Sequence, residues 1–421
     1  RELSFFCSQQ HFRFVYQDSA CLPDQRLICR DQTIQKTSDI YQTNITGGFR
    51  EAICKMKIIG ILRGLTFIFL LGFTSILGTV FFLTPLLPLV VLHPKTARFF
   101  MDIFIVIWKL YCSAVYELVF QTKVVITGEP GCPEDSYLII MNHRTRFDWL
   151  YVFSYQIRYG SVWRYTISLK NALKSIPGVG WAMQLAGYIF LQRKWEEDKK
   201  LISNGIRYLN LVNFKPQVLL FPEGTDFTPS TKSRSDKFAE QHGLPKYEYV
   251  LHPRTTGFAF FVQQMRKENL LDYIIDLTVG YPQNIAQNEL DILIGNFPRE
   301  IHFHVEKHYL KDLPTEKEEL EEWCKTRWAR KEKMLQYFFE KKKFDFSNIF
   351  HQNAYIPNEN IVRSMYLMVF VFWAVFKIGV CMLLYLYPIL RWFSVLTMLG
   401  YVIISKYTPG FPRFLCWGVG L

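Results

Sequence analysis

The chain has nine cysteines, and none of them forms a Cys-x-x-Cys pair. An odd number scattered from Cys7 to Cys416 excludes a zinc ribbon and argues against a disulfide framework. Reduced thiols acting as small buried residues are the reading that remains, and they point to a reducing compartment. No Gly-x-Ser-x-Gly elbow occurs, so the signature of a serine acyl-enzyme is missing. Internal repeats and low-complexity tracts are absent as well. Charge is scarce, at 20% of residues against 50% hydrophobic and 17% aromatic, which is too apolar for a disordered chain. That charge is unbalanced: 49 Lys and Arg face 37 Asp and Glu, a formal net charge of +12. A nucleic-acid binder would need a clustered basic patch or a recognised motif, and neither is present. The balance suits polyanionic substrates and an anionic membrane surface. A membrane-associated globular protein fits these constraints.

Four regions follow from the texture. Residues 1–57 are polar, lack a signal-peptide apolar core and read as a poorly ordered extension; Asn44-Ile45-Thr46 is a formal glycosylation sequon that a cytosolic extension would leave unmodified. Residues 58–120 are expected to form a membrane helical hairpin, either crossing the bilayer or dipping into one leaflet. Its first arm contains Leu65–Leu92, 28 residues without a charge, with a helix end expected near Leu83 because Pro85 and Pro88 follow. Its second, Phe99–Phe120, carries Asp102, Lys109 and Glu117 and is too charged for a lone span. Residues 121–345 alternate strand and helix patterns, with strands expected at Lys123–Thr127, Ser136–Asn142, Tyr188–Gln192, Val218–Phe221, Asp276–Gly280 and Ile301–Val305. This predicts an α/β domain with a mainly parallel sheet flanked by helices. Thr315 to Glu318 reads as a capping box opening a long helix to about Lys343, packed through Leu320, Cys324, Trp328 and Leu335. Residues 346–421 hold a linker, one crossing helix within Ser364–Leu390, and a shorter interfacial or re-entrant piece at Trp392–Ser405.

Three constellations could carry chemistry. In Asn142-His143-Arg144-Thr145-Arg146-Phe147-Asp148, His143 and Asp148 would diverge on a continuous helix. A strand-to-helix turn brings them together, and a carboxylate there fixes the imidazole tautomer. Thr145-x-x-Asp148 also reads as a capping box, so both roles stay open for Asp148. In Phe221-Pro222-Glu223-Gly224-Thr225-Asp226, Gly224 allows a positive φ, and the loop is either a phosphate cradle or an ordinary turn. The stretch from Lys170 to Arg193 ends a strand with a guanidinium suited to phosphate, or else is a surface basic cluster. Of His302, His304 and His308, the first two share a strand face at a spacing that could hold zinc, but no Cys or acidic partner stands out, and an exposed strand face is the reading.

Together His143-x4-Asp148, Gly187-Tyr188-Ile189-Phe190-Leu191-Gln192-Arg193 and Phe221–Thr225 resemble the first three blocks of the glycerolipid (lysophospholipid) acyltransferases. Ile275–Pro282 resembles a weaker fourth, and the likeness covers roughly residues 60–345. Met141–Arg146 and Lys246–Phe258 are similar to the lysocardiolipin acyltransferase branch, as is Asp226 where Arg is commoner. The resemblance implies that fold, with membrane helices at both ends. It implies transfer of a fatty acyl group from acyl-CoA to the free hydroxyl of a lysophospholipid, a lysocardiolipin-type or related anionic acceptor, with lysophosphatidate as the alternative and an inactive membrane scaffold as the non-enzymatic one. His143 would be the general base, oriented by Asp148. Lys170, Arg193, Glu223, Gly224, Thr225 and Arg254 would bind substrate, with Arg193, Lys232, Arg234 and Arg254 as candidate phosphate cations. No cofactor or metal is implied; the partners are acyl-CoA, lysophospholipid and the bilayer, at the endoplasmic reticulum with a cytosol-facing site.

Overall fold

The run from Leu65 to Leu92 carries no charge, and one helix passes through all of it. A computed structural model describes residues 58–344, 357–408 and 410–420; the N-terminal extension and its Asn44 sequon lie outside the described residues. Helix α1 is one run over Ile58–Leu92. Where an end was expected near Leu83, the helix loosens into a π turn (Thr79–Leu83), tightens into a 3-10 turn (Thr84–Leu86) and resumes at Leu87–Leu92. Pro85 and Pro88 fall in the first turns of these segments, where a missing N–H costs little. The Thr79 carbonyl accepts the Thr84 N–H and also the Thr84 Oγ1 hydroxyl, the latter at 2.8 Å.

Helix α2 covers Pro94–Ala114 and continues through a π turn to Val119. Its charges Arg98, Asp102 and Lys109 are buried. Arg98 pairs with Asp102 at 2.6 Å and donates to Ala186 O at 2.5 Å, and Lys109 donates to Val162 O and Tyr165 O, both at 2.9 Å. Buried charge is tolerated only with such partners.

The domain follows as β1 (Lys123–Gly128), β2 (Tyr137–Met141), α3 (Asp148–Tyr159), β3 (Tyr165–Lys170), α4 (Val179–Leu185), β4 (Ile189–Leu191), α5 (Trp195–Leu211), β5 (Gln217–Leu220), α6 (Pro229–His242), α7 (Thr255–Lys267), β6 (Tyr273–Gly280), α8 (Glu289–Leu293), β7 (Glu300–Tyr309) and α9 (Lys317–Lys341). The sheet order is β1-β7-β6-β2-β5-β3-β4, with β6 and β7 antiparallel and every other pair parallel. The mainly parallel sheet is as expected, and its buried β2 and the Val218–Leu220 stretch of β5 read as continuous apolar runs for that reason, whereas buried β6 is interrupted by Asp276 and Thr278. Strand β3 was not foreseen: Thr166 and Ser168 give it a half-exposed alternation, yet the structure buries both. Strand β7 lies inside the sheet, so His302 and His304 are buried and not on an exposed face. The adjacent carboxyl ends of β2, β5, β3 and β4 form one edge, the position where open α/β sheets place ligands.

The capping box at Thr315 does not form: Glu316 is the N-cap and makes no side-chain cap bond. The packing stripe does hold, with Leu320, Cys324, Trp328 and Leu335 all buried. At the C-terminus two long helices replace the expected single one, α10 (Glu359–Leu386) and α11 (Pro388–Tyr407), before a short α12 (Phe411–Gly418). Trp392–Ser405 looked short because Arg391 interrupts the apolar run. The helix starts at Pro388, however, and at 20 residues it is long and apolar enough to cross a membrane, as are α1, α2 and α10.

Candidate active site

Strand β2 ends where its sequence turns polar. Asn142 locks that end to β6, donating to Val279 O at 3.1 Å and accepting the Val279 N–H at 2.8 Å. His143 follows, its ring stacked on Phe221 at 4.1 Å and its side chain 17% exposed. Residues 144–147 turn before α3, and the turn brings His143 Nδ1 to 2.9 Å from Asp148 Oδ2. Asp148 is the first residue of α3 and is fully buried, at a helix end that favours negative charge. Its Oδ2 also accepts the Thr145 N–H at 2.9 Å, and its Oδ1 accepts the Tyr281 hydroxyl at 2.5 Å. The capping box is thus half realised. Asp148 reaches back to Thr145, while Thr145 Oγ1 donates to Ala286 O.

Tyr281 was not singled out from the sequence. Its only signal was its place at the end of the weak fourth block, beside β2 in the sheet. Burial, with the Asp148 charge second, pushes its pKa well up, so the hydroxyl stays a donor.

The β5 loop stands next to this pair. Glu223 is buried and turned inward: Oε1 accepts the His143 N–H at 3.3 Å and Trp328 Nε1–H at 3.1 Å. Burial pushes its carboxyl up to about 8. It therefore holds the His143 backbone in place and does not face the open edge. Gly224 has φ +70°, and the Arg254 side chain lies over it, 3.2 Å from where a Cβ would stand. Arg193, itself at φ +68°, donates from Nη2 to Gly224 O at 2.8 Å. Arg193, Gly224 and Arg254 therefore form one exposed basic corner. Lys170, at the end of β3, sits in register with Leu191 on the same edge. Thr225 donates to Asp226 Oδ1 at 3.3 Å, and Arg146 lies 3.6 Å from Asp226 and 2.7 Å from Glu289. Of the other two candidate cations, Lys232 is engaged by Asp236 at 2.9 Å and Glu248 at 3.0 Å, and Arg234 is exposed on α6.

Two further residues escaped the sequence reading. Arg144 lies over the Phe227 ring at 4.4 Å and donates to Tyr249 O at 3.1 Å; burial lowers its pKa. Gln287 donates to Arg144 O at 2.9 Å and Phe227 O at 2.8 Å, and Phe227 N–H donates to His143 O at 2.7 Å, so the two loops are stitched together. Elsewhere, ligand atoms of Asp276, Glu306 and His308 lie within 4.8 Å of one another, close enough for a metal ion. Cations already engage both carboxylates: Lys331 pairs with Asp276, and Arg330 and Arg327 approach Glu306 at 2.6 and 3.3 Å. His302 pairs with Glu300 at 3.0 Å.

Comparison with known proteins concerns the chain as a whole. The family model described as Acyltransferase matches residues 123–281, and Acyltransferase C-terminus matches residues 291–373. Lysocardiolipin acyltransferase 1 of Gallus gallus is 45% identical over 352 residues, 83% of this chain and 92% of that protein. Lysophosphatidylinositol acyltransferase 10 of Caenorhabditis elegans is 36% identical over 291 residues, 68% of this chain and 73% of that protein. The solved structure of the 1-acyl-sn-glycerophosphate acyltransferase PlsC from Thermotoga maritima has a TM-score of 0.44 at 17% identity, covering 68% of this chain and 97% of that one. Taken with four helices apolar enough to cross a membrane, the sequence matches establish that the chain is a membrane-associated acyltransferase of lysophospholipids or acylglycerol phosphates and belongs to the glycerolipid acyltransferase family, in its lysocardiolipin acyltransferase branch.

Proposed function

We propose that the chain transfers a fatty acyl group from acyl-CoA to the free hydroxyl of an anionic lysophospholipid of the lysocardiolipin type, with His143 as general base. The observation that carries this reading is the 2.9 Å contact between His143 Nδ1 and a buried Asp148 that is itself held by Tyr281 and Thr145. A carboxylate on Nδ1 keeps the proton there and leaves Nε2 as the acceptor. In the proposed step Nε2 takes the hydroxyl proton as the oxygen attacks the thioester carbon. The C–O bond forms, the C–S bond breaks, and the imidazolium, stabilised by Asp148, returns the proton to the departing coenzyme A thiolate. Asp148 is thus the orienting residue and His143 the one that touches substrate.

Arg193 and Arg254, flanking Gly224, are the cations we assign to the acceptor phosphate, with Lys170 beside them and Thr225 in the same loop; Glu223 acts through the His143 backbone. No cofactor or metal is needed for this reaction. We place the protein in the endoplasmic reticulum membrane with the site toward the cytosol, where the water-soluble donor is found. The relatives' names support a lysocardiolipin or lysophosphatidylinositol acceptor, and a third, the probable 1-acyl-sn-glycerol-3-phosphate acyltransferase 5 of Arabidopsis thaliana, 30% identical, keeps lysophosphatidate in view. The test is release of coenzyme A by the purified full chain with oleoyl-CoA and a panel of monolysocardiolipin, lysophosphatidylinositol and lysophosphatidate. Turnover with an anionic member that vanishes in His143→Ala is expected; turnover that survives in a folded His143→Ala protein overturns the mechanism.

A further inference from the structure

Between β6 and β7 the chain runs over residues 282–299 as a strap with two unlike sides. One side grips the turn that carries His143. Thr145 Oγ1 donates to Ala286 O, Gln287 Nε2 donates to Arg144 O at 2.9 Å, and Arg146 pairs with Glu289 at 2.7 Å. Asn288 Oδ1 accepts the Leu290 and Asp291 N–H groups, while Asp291 Oδ2 accepts those of Gln287 and Asn288. Both acids of α8 are therefore engaged within the strap or with the turn. The other side is apolar. Leu290 and Ile294, the latter the C-cap of α8, stand four residues apart on one helix face and are 69% and 57% exposed. Among the described residues of the α/β domain these are the two most exposed large apolar side chains; the next, Ile176 and Tyr309, are at 44%.

Exposed apolar patches of this kind mark contacts with a membrane or a partner, and here the neighbour is α1. A Cβ on Gly60 would collide with Ile294 O, and one on Gly64 with the carbonyls of Ile292 and Leu293. The helix thus lies directly on the strap, and only glycine allows that approach. Around this contact the α1 side chains Ile59, Ile61, Leu62 and Leu65 are apolar and exposed, on a helix long and apolar enough to cross a membrane. Leu290 and Ile294 extend that exposed apolar surface toward the His143 turn. Cations edge it. Arg63 lies over the Phe120 ring at 5.5 Å, Phe120 packs on Phe297 at 4.1 Å, and Arg63 and Arg299 are both exposed, which suits lipid phosphates.

We propose that Leu290 and Ile294 dip into the bilayer, and that the strap is the lip over which the lysophospholipid acceptor passes sideways from the membrane to His143. The second half of this inference rests on the acceptor reading above. The occupant is a lipid bilayer because the patch continues the exposed face of an apolar membrane helix and has cations at its edge. The distance fits. Leu290 is four residues from Ala286, at most roughly 14 Å of chain, and one leaflet with its headgroups is about 20 Å deep. A single lipid with its acyl chain against Leu290 and Ile294 can therefore bring its glycerol hydroxyl to the turn without leaving the bilayer. The unfavourable transfer of that chain into water is avoided.

The test introduces benzoylphenylalanine, a photoreactive amino acid, in place of Leu290 in the full chain. The comparison replaces Tyr309, which pairs with Tyr273 at the end of the sheet opposite His143. In vesicles of phosphatidylcholine and phosphatidylinositol, irradiation should give lipid adducts at position 290 and none at 309, read by mass spectrometry. No lipid adduct at 290, an adduct there to another part of the chain or to a second copy, or equal lipid labelling at both positions overturns the proposal. A second readout combines Leu290→Glu with Ile294→Glu. The KM for monolysocardiolipin presented in vesicles should rise about tenfold, with kcat and the KM for a short-chain, water-soluble monolysocardiolipin unchanged. An unchanged vesicle KM in a folded variant, or an equal rise for both acceptors, removes the lip role. Absence of transfer to any lysophospholipid by the unsubstituted chain would instead remove the acceptor reading and leave the photolabelling result standing, so the two failures are distinguishable.

Discussion

One oxygen of Asp148, Oδ2, accepts both from His143 Nδ1 and from the Thr145 backbone N–H, each at 2.9 Å. The same atom therefore shapes the turn after β2 and orients the imidazole that the turn delivers. This predicts different outcomes at the two residues. His143→Ala should lower turnover by ~10²–10⁴-fold, because the proton acceptor is lost, and leave a folded protein, since Thr145 and Tyr281 still donate to Asp148. Asp148→Asn should also collapse turnover, and in addition lower the melting temperature by a few degrees, because an amide placed to accept from Thr145 holds the imidazole tautomer less well. Asp148→Asn protein with high specific activity and reduced stability would leave Asp148 as a cap alone.

Tyr281 supplies the only side-chain hydroxyl on Oδ1 of that carboxylate among the described residues. Removing it in Tyr281→Phe leaves a buried acceptor short of a donor, a loss of about 1–3 kcal/mol. Turnover should fall roughly tenfold, with the acceptor KM unchanged and the pH–rate profile shifted, since Asp148 acts on substrate only through His143. A shifted melting temperature with unchanged turnover and pH profile would mean that Tyr281 only packs.

Glu223 makes the stability of this region pH-dependent. Its folded-state carboxyl is raised to about 8 from an ordinary 4.5, chiefly by burial. Between those values the folded chain holds a proton that the unfolded chain has lost, so stability falls as pH rises from 4.5 toward 8. Glu223→Gln mimics the protonated group and keeps an acceptor for His143 N–H and Trp328. Thermal melts of the two proteins across this window should show a shallower decline for Glu223→Gln. Parallel curves would show that Glu223 ionises normally.

The basic corner separates used cations from spent ones. Arg193 reaches the Gly224 loop through Nη2, whereas Lys232 is held between Asp236 and Glu248. Arg193→Ala should raise the KM for a phosphate-bearing substrate at least fivefold, since ground-state binding is what it supplies. Lys232→Ala should leave every KM where it was. The reverse pattern would move the phosphate site to α6.

The strands that position His143, Glu223 and Arg193 were legible because a parallel sheet buried on both faces demands short apolar runs, and polar residues mark where each run stops. Strand β3 was not, since Thr166 and Ser168 break its apolar pattern although both are buried. The His143–Asp148 contact could be anticipated from a five-residue spacing that spans a turn. Tyr281, Trp328 and Gln287 could not, because each reaches the site from an element distant in sequence, and local pattern carries no information about pairing across a sheet. The length of α11 was hidden by Arg391, one charge near a helix end that long side chains accommodate at an interface.

The C-terminal helices make the last prediction. Glu359, opening α10, pairs with Arg158 of α3 at 2.8 Å. At the other end, Gln184 donates to Ser405 Oγ at 3.0 Å and Lys174 to Thr408 O at 3.1 Å. Both ends of the α10–α11 hairpin are therefore fastened to the α/β domain, which should put them on its side of the membrane. The arms of 28 and 20 residues span about 42 and 30 Å at 1.5 Å per residue, and about 30 Å of hydrocarbon is what a crossing requires. The Tyr387-Pro388 turn should then stand on the opposite face. A long Gly/Ser loop carrying an Asn-Ser-Thr sequon, inserted between Tyr387 and Pro388, should be glycosylated in endoplasmic reticulum microsomes, while the same loop placed after Asp312 in the α/β domain should not. Glycan at Asp312 would put the catalytic domain in the lumen. An unmodified turn that external protease cuts in sealed microsomes would show that the hairpin bends back within one leaflet.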